Sequence, residues 1–365
     1  MFKEKYKDNL GMIVVFFAVV KYYGSYYGFD NYSKYFMLIS LALSTLLIFS
    51  NIKKYNIVHY GFLGLTVVQF LLSKNITMFY TYYLCLALGF LDFRKLVKCF
   101  LVVNIGFFSL YLLMNFVGIK GTEYIEGRND FGFGNPNTAF INMFLIWSAY
   151  FYYVYNRKRI VDYILLFLLI FLMYSQTTTR TGLLTAIMTI IAFFILENMD
   201  LKKKFARIFV TVFPILMTGL SMIIAVFFSD NYFINSILSH RPLYWHSYIM
   251  HPSKGINLFG YPSNIRDILF TQRMPLDSGY IWSLYSSGIV LYALLIAMIC
   301  YTLYRLCVDN KKAEILIIVS LLIYCFAESI MIDVGTNVGL ILIVSGVSGL
   351  NLGRILGKRK LKYGR

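Results

Sequence analysis

Five arginines are the residues of this sequence best placed to do chemistry, because they lie between or at the ends of long apolar segments rather than in basic clusters. They are Arg128, Arg180, Arg241, Arg266 and Arg273. An arginine keeps its charge at physiological pH and presents a planar fork of N–H donors that matches two oxygens of a phosphate. The pattern therefore predicts a site for a ligand that carries a pyrophosphate group.

Arg128 and Arg180 each lie in a segment that would restrict the arginine. Arg128 opens RNDFGFGNPN, which leads into an apolar helix that Asn135 or Asn137 would cap. Backbone N–H groups at such a helix start favour anions, although a solvated arginine beside a capped loop fits the segment equally well. Arg180 lies in TTTRTG, where a short turn fixes it beside threonine hydroxyls; a side chain that snorkels to lipid headgroups is the alternative.

Arg241 begins the segment RPLYWHSYIMHP, which predicts a short helix that Pro242 opens and that ends before Pro252. At a spacing of three to four residues, one side of this helix would carry Arg241, Trp245 and Tyr248. The opposite side would place three apolar or aromatic residues against lipid, namely Leu243, Tyr244 and Ile249. The prediction is an interfacial helix that presents a cation.

Two acids and two histidines could complete a reaction centre. Asp277 precedes an apolar segment, where its carboxylate could accept a proton from a hydroxyl group; capping that helix is a second, compatible role. Glu328 lies near the end of another apolar segment and is expected to contact an arginine, because a buried acid is usually paired. His246 and His251 are alternative proton carriers, and solvated histidines are the commoner case. The histidine spacing is not that of a helical zinc pair, so no metal site is expected.

The composition is that of an integral membrane protein. Of the 365 residues, 59% are hydrophobic and 14% are charged, whereas a soluble domain carries about 25% charged residues. The net charge of +17 does not indicate nucleic acid, because the cations form short clusters between apolar runs. Anionic lipid headgroups are the expected partners of those clusters.

The apolar runs predict an all-α protein of about twelve transmembrane helices in a single membrane domain, residues 1–365. The predicted helices are 11–28, 35–51, 56–73, 76–92, 96–118, 137–155, 160–176, 181–197, 207–228, 279–305, 313–331 and 335–352. With both termini in the cytoplasm, most of the 34 lysines and arginines fall on the inner side, as the positive-inside rule requires. The two long loops, about 119–136 and 229–278, then lie outside and are expected to carry the site.

The order of these motifs resembles that of the O-antigen polymerase and ligase superfamily, and most closely that of Wzy-type polymerases of capsule or exopolysaccharide pathways. The motifs are the NPN after Arg128, the TTTRTGLL around Arg180, R-x-x-x-W from Arg241 to Trp245, LFG at Leu258 to Gly260 and DSGY at Asp277 to Tyr280. The likeness covers residues from about 120 to 290. The N-terminal third matches only as hydrophobic helices.

The resemblance implies a helical membrane glycosyltransferase of GT-C-like architecture that needs no metal or other cofactor. Such an enzyme joins oligosaccharide repeat units carried on undecaprenyl pyrophosphate outside the cytoplasm, so both donor and acceptor are lipid-linked. By resemblance, the pyrophosphate would be bound by Arg128, Arg180 and Arg241, with Arg266 or Arg273. Residues expected to support the site are Asn135, Asn137, Trp245, Tyr280 and Glu328. Flippase and chain-length regulator proteins are the candidate protein partners.

Two other functions fit parts of the sequence. Ligases of the same superfamily carry a histidine where this chain has Asp277, and that departure argues against a ligase. A lipid-linked oligosaccharide flippase or another transporter would have charges near the bilayer midplane, whereas the predicted helix interiors are nearly free of charge and the largest loops lie outside. A polymerase is therefore the favoured hypothesis.

Overall fold

The computed structural model describes residues 4–270 and 274–348, and in those ranges the chain is nearly all α-helical. Its helices are α1 (Glu4–Tyr23), α2 (Ser33–Ser50), α3 (Ile57–Ser73), α4 (Thr77–Leu88), α5 (Phe93–Phe116), α6 (Pro136–Arg157), α7 (Ile160–Thr177), α8 (Arg180–Asn198), α9 (Lys204–Phe227), α10 (Tyr232–Ile237), α11 (Arg241–Ile249), α12 (Ile265–Leu269), α13 (Gly279–Val308), α14 (Lys312–Tyr324) and α15 (Leu342–Ser348). Two short antiparallel strands, β1 (Tyr124–Ile125) and β2 (Arg128–Asn129), form a hairpin after α5.

Six helices of the described chain are long and apolar enough to cross a membrane, namely α2, α5, α7, α8, α9 and α13. The architecture is that of a helical membrane protein. Helices α3 and α4 are apolar but shorter. Each of the first nine predicted spans contains one helix of the structure, from α1 to α9.

The last two predicted spans differ from the structure. The span predicted at 313–331 ends at Tyr324, because the following residues form turns. Within the span predicted at 335–352, a 3-10 turn, Val338–Ile341, precedes the short α15, and the residues after 348 lie outside the described chain. Asp333 stabilises the turn between them, since its carboxylate accepts the Gly335 N–H at 2.8 Å. Hydropathy alone does not distinguish such a turn from a continuous span.

Polar contacts between helices define two ends of the bundle. The lower end is marked by contacts of Lys7 with Asn51, Lys95 with Asp8 and Lys158 with Glu197. The upper end is marked by contacts of Lys21 with Asp333 and Arg241 with Glu328. Consecutive long helices from α1 to α9 therefore alternate in direction, as a membrane-crossing chain would.

Helix α14 forms the centre of the bundle. Its residues from Ile315 to Tyr324 are all buried, and it packs against α6, α8 and α13. A helix that is apolar on every side must be surrounded by protein or lipid. Here the surrounding helices place the end of α14, and the turn that carries Glu328, in the middle of the upper end.

The hairpin of the first long loop is a fixed structure. The buried Asp130 carboxylate accepts backbone N–H bonds from Glu123, Gly132 and Gly134, at 2.7 to 3.0 Å. The Phe133 ring stacks on Tyr111 of α5, with 4.2 Å between ring centroids. The loop that carries Arg128 is therefore held against the top of α5.

Helix α13 is broken at Gly288, where φ is 80°. The Ile289 N–H donates to the Asn257 carbonyl oxygen at 3.0 Å, so a turn of the second long loop occupies the break. Gly260 of the LFG motif lies so close that a Cβ there would collide with the Ser286 carbonyl oxygen. The helix predicted at 279–305 is therefore present but kinked at Gly288, and the long loop orients the upper part of α13.

Candidate functional site

Three residues that lie far apart in the sequence meet at the upper end. Arg241 Nη2 donates to Glu328 Oε1 at 3.1 Å and lies 3.7 Å from Asp277 Oδ2. The Arg241 and Glu328 side chains are 4% and 7% exposed, whereas that of Asp277 is 31% exposed. Glu328 therefore contacts an arginine, as the sequence predicts. The cluster of Arg241, Asp277 and Glu328 is accessible from the side of Asp277.

Helix α11 positions Arg241 at its first residue. His240 precedes it in the left-handed conformation, with φ of 59°, and Pro242 occupies the first turn. Trp245 and Tyr248, on the same side as Arg241, are fully buried. The predicted helix is confirmed, but Arg241 faces the protein interior instead of being presented to solvent.

The predicted lipid-facing side of α11 is only partly correct. Leu243 is 41% exposed, but Ile249 is buried at 8%. Ile249 packs in a small core with Trp245 and Tyr248 that joins α11 to the upper half of α13. The helix is too short, and too closely covered by the loop that follows it, to leave one whole side to lipid.

Asp277 lies just before α13 but does not cap it. The N-cap of α13 is Ser278, whose Oγ accepts the Ile281 N–H at 3.4 Å, so the predicted cap by Asp277 is wrong by one residue. Asp277 instead faces Arg241. A free carboxylate beside a guanidinium can accept a proton or a hydrogen bond from a hydroxyl group.

Arg266 holds the segment that precedes Asp277. Its Nη2 donates to the Leu276 carbonyl oxygen at 3.1 Å, and its guanidinium lies 4.2 Å from the Trp282 ring centroid. Through these contacts Arg266 positions the backbone next to Asp277. The sequence around Arg266 does not reveal this role. Arg273, the other arginine predicted in this loop, lies outside the described residues.

Arg128 and Arg180 lie on neighbouring elements, because the strand of Arg128 packs against α7 and Arg180 begins the next helix, α8. Arg128 pairs with the exposed Glu126 at 3.0 Å, and its strand packs against α7. Arg180 is the first residue of α8 and is exposed. Within the described chain, neither arginine makes an ion pair or hydrogen bond with the cluster of Arg241, Asp277 and Glu328. Both cations are therefore available to a ligand.

The two candidate histidines lie apart from that cluster. His246 Nδ1 is 3.0 Å from the Ala225 carbonyl oxygen, which joins α11 to α9. His251 faces the Phe270 ring and lies 3.5 Å from Ser253 Oγ. Among the contacts of the described residues, none joins either imidazole to Arg241 or Asp277. Asp277 is thus better placed than either histidine to act beside Arg241.

The residues predicted to support the site have structural roles. Asn135 caps α6, since its Oδ1 accepts the Asn137 N–H at 2.8 Å, and Pro136 follows at the first helical position. The buried Tyr280 hydroxyl donates to the Leu322 carbonyl oxygen at 2.8 Å and fixes the start of α13 against α14. Trp245 packs edge-to-face on Phe326, with 5.6 Å between centroids. These contacts hold α11, α13 and α14 in register.

Burial changes the protonation of Glu328, which lies in the turn after α14 and outside the helical spans. Removal from water raises the pKa of the Glu328 carboxyl to about 8; the Arg241 charge opposes that rise and the Asp277 charge adds to it. Glu328 therefore holds its proton to a higher pH than an exposed glutamate does.

An apolar groove of about 360 Å³ opens between α8 and α9, with α14 as its floor. Its side chains include Leu184, Met188, Ile195, Phe209, Met217 and Ile323. At its upper end lie Thr181, next to Arg180 in sequence, and Ala327, next to Glu328. The groove therefore ends beside the charged residues.

The dimensions of this groove suit a hydrocarbon chain. It extends from Thr181 to Met199 along α8, which is about 27 Å at 1.5 Å per residue and close to the roughly 30 Å of a bilayer core. Leu184 and Ile191 on its rim are about half exposed, so the groove opens on the surface that would face lipid. Sequence reasoning missed it, because apolar residues that line a groove look the same as those that face a neighbouring helix.

No family model, curated protein or solved structure matches this chain. The arrangement of the described residues therefore carries the functional argument. Cations and a partly exposed carboxylate lie above an apolar groove that could hold a lipid tail. Such a site can bind an amphiphile by its anionic headgroup and can remove a proton from a hydroxyl group beside that headgroup.

Proposed function

We propose that this protein is a membrane glycosyltransferase that polymerises oligosaccharide repeat units carried on undecaprenyl pyrophosphate. The observation that carries the proposal is that the apolar groove reaches Thr181 and Ala327, the sequence neighbours of Arg180 and Glu328, and that Glu328 pairs with Arg241. A lipid tail in the groove would place its headgroup phosphates beside the guanidinium groups. Charge and apolar surface are thus arranged in the order in which a lipid-linked pyrophosphate presents them.

The proposed reaction needs few groups from the protein. The acceptor hydroxyl oxygen attacks the anomeric carbon of the donor, the bond from that carbon to the pyrophosphate oxygen breaks, and Asp277 takes the hydroxyl proton. Arg241 and Arg180 neutralise the negative charge that builds on the leaving pyrophosphate. Attack from the side opposite the leaving group would invert the configuration of the anomeric carbon. Arg128 would contact the same headgroup from the hairpin.

The proposed topology has both termini in the cytoplasm and the upper end outside the cell membrane. The lysines that contact other helices at the lower end, such as Lys7, Lys95 and Lys158, support this orientation through the positive-inside rule. A short α14 is compatible with this orientation, because the turn at 325–337 lies at the upper end, where Glu328 contacts Arg241. Capsule or exopolysaccharide synthesis is the proposed pathway.

A bulky residue in the groove tests the proposal. Ala192 lines the groove on α8, and Ala192→Trp should abolish polymer because the ring occupies the path of the lipid tail. In cells that carry only the variant, single repeat units on lipid should accumulate on the outer leaflet, as measured by gel electrophoresis and by their accessibility to an added glycosidase. Val102→Trp, on the exposed side of α5, is the matched control and should leave polymer unchanged.

Two outcomes of this experiment would contradict the proposal. Full polymer from the correctly inserted Ala192→Trp variant would remove the groove from the mechanism. Repeat units that accumulate on the cytoplasmic leaflet instead would indicate a flippase, because that step precedes polymerisation.

The pKa of Glu328 predicts a pH dependence of donor binding. As the pH rises through about 8, Glu328 loses its proton and adds a negative charge beside Arg241. The apparent KM for the lipid-linked donor should therefore rise between pH 7 and pH 9, because the added negative charge weakens the attraction of the cluster for phosphate. Glu328→Gln keeps the side-chain shape without this ionisation, so its KM should stay flat over the same range. A flat profile in the unmodified protein, or an equal rise in the variant, would contradict the role of Glu328.

A further inference from the structure

A second charged pair lies at the upper end and takes no part in the proposed leaving-group chemistry. Lys21 Nζ, near the end of α1, is 3.3 Å from Asp333 Oδ2. The two side chains are 23% and 25% exposed. Lys21 Nζ also lies 4.8 Å from the centroid of the Tyr80 ring. The pair therefore carries no net charge and keeps both a donor and an acceptor accessible.

Two tyrosines that follow Lys21 in the sequence contact each other and the hairpin loop. The Tyr22 and Tyr26 rings pack edge-to-face, with 5.8 Å between centroids, and Tyr26 packs in the same way on Phe133, with 5.1 Å. Both tyrosines are half-buried. Because Phe133 belongs to the loop that carries Arg128, these ring contacts join the end of α1 to the hairpin. We call Lys21, Tyr22, Tyr26 and Asp333 the tyrosine wall.

The tyrosine wall borders the cluster of Arg241, Asp277 and Glu328. The turn that contains Glu328 continues to Asp333 and Gly335, and Gly335 packs against the α1 backbone at Ala18. The wall and the charged cluster thus share one turn of the chain.

The same turn separates the tyrosine wall from the apolar groove. Phe326 and Ala327 line the groove on one side of Glu328, and Asp333 contacts Lys21 on the other. A molecule with its lipid tail in the groove and its phosphates near Arg241 would therefore direct the rest of its headgroup towards the wall.

We propose that the tyrosine wall is a saccharide subsite, in which Lys21 and Asp333 exchange hydrogen bonds with sugar hydroxyls and the rings of Tyr22 and Tyr26 pack against sugar C–H faces. Hydroxyl groups both donate and accept, so a site with an ammonium and a carboxylate side by side fits them better than it fits an anion. Aromatic rings with a polar edge suit ligands that present apolar and polar surface together. The inference rests on the proposed function, since the saccharide is the glycan of the lipid-linked substrate.

A binding measurement without the lipid tests the subsite alone. The probe is the water-soluble glycan released by mild acid from the lipid-linked repeat units of the producing cell. It is titrated onto the full-length protein in nanodiscs and followed by saturation-transfer NMR. The unmodified protein and Lys34→Ala should bind it equally well, because Lys34 is an exposed cation at the start of α2 and lies outside the tyrosine wall. Lys21→Met and Asp333→Asn should each lower the affinity for the probe by about tenfold or more.

A charge swap distinguishes recognition from a purely structural ion pair. Lys21→Asp combined with Asp333→Lys restores an ion pair between α1 and the turn but moves donor and acceptor relative to the sugar. Binding should remain weak in the swapped protein even where its thermal unfolding returns to that of the unmodified protein. Recovery of binding in the swap, unchanged binding by Asp333→Asn, or no binding by the unmodified protein would each overturn the subsite.

The outcome separates this inference from the proposed function. If lipid-linked units are polymerised but the Asp333→Asn variant binds glycan normally, the subsite fails and the proposed function stands. If the unmodified protein binds glycan through Lys21 and Asp333 but never extends lipid-linked units in liposomes, the subsite stands and the polymerase fails.

Discussion

Replacement of Arg241 by Ala should reduce polymer synthesis by about a hundredfold or more. The guanidinium is buried and aimed at two carboxyl groups, so no other described cation can take its position. Lipid-linked single units should persist in the cell, because their synthesis and export do not depend on this residue. Polymer and lipid-linked units are both measured by gel electrophoresis of extracts from cells that carry only the variant.

Two matched variants sharpen that result. Arg241→Lys keeps the charge but loses the planar fork, so it should recover little activity. Lys34→Ala removes an exposed cation at the start of α2 and should leave polymer synthesis unchanged. Full activity of the lysine variant would exclude a bidentate contact with phosphate, and full activity of Arg241→Ala would exclude the site.

The Asp277→Asn variant should lose turnover by about a hundredfold to ten-thousandfold while it retains the lipid-linked donor. The amide cannot take a proton from the acceptor hydroxyl, whereas donor binding depends on Arg241 and the groove. The two effects are separated by single-turnover kinetics and by retention of the donor on the purified protein. Ser278 caps α13, so the asparagine should leave helix α13 intact.

Ser278→Ala is the control for a structural effect of that variant. Because this variant lacks the cap of α13, its thermal stability should fall. Its turnover rate should nevertheless stay higher than that of Asp277→Asn. If the asparagine variant turns over at the normal rate, Asp277 is not the base, and His246 and His251 become the next residues to test.

The sequence predicted those parts of the site that depend on short segments. The proline after Arg241 and the spacing of Trp245 and Tyr248 are enough to predict α11. The cost of a buried carboxylate is enough to predict that Glu328 contacts an arginine. Asn135 is recognisable as a cap because Pro136 follows it. Each of these rests on contacts within a helical turn or on the energetics of one charge.

The parts that could not be predicted depend on residues far apart in the chain. Lys21 looks like a stray cation until it meets Asp333, 312 residues later. The break in α13 exists because the turn at Asn257 and Gly260 fills it, and no local pattern at Gly288 specifies that partner. Arg266 was indistinguishable from a ligand-binding cation until its contacts with Leu276 and Trp282 were known.

The most direct test of the central claim is polymerisation by the purified full-length protein in liposomes supplied only with lipid-linked repeat units. The protein should convert single units into a ladder of longer glycans on lipid and release free undecaprenyl pyrophosphate, and Arg241→Ala should yield neither product. If a folded, correctly inserted protein forms no glycan longer than the single units, that result would contradict the account.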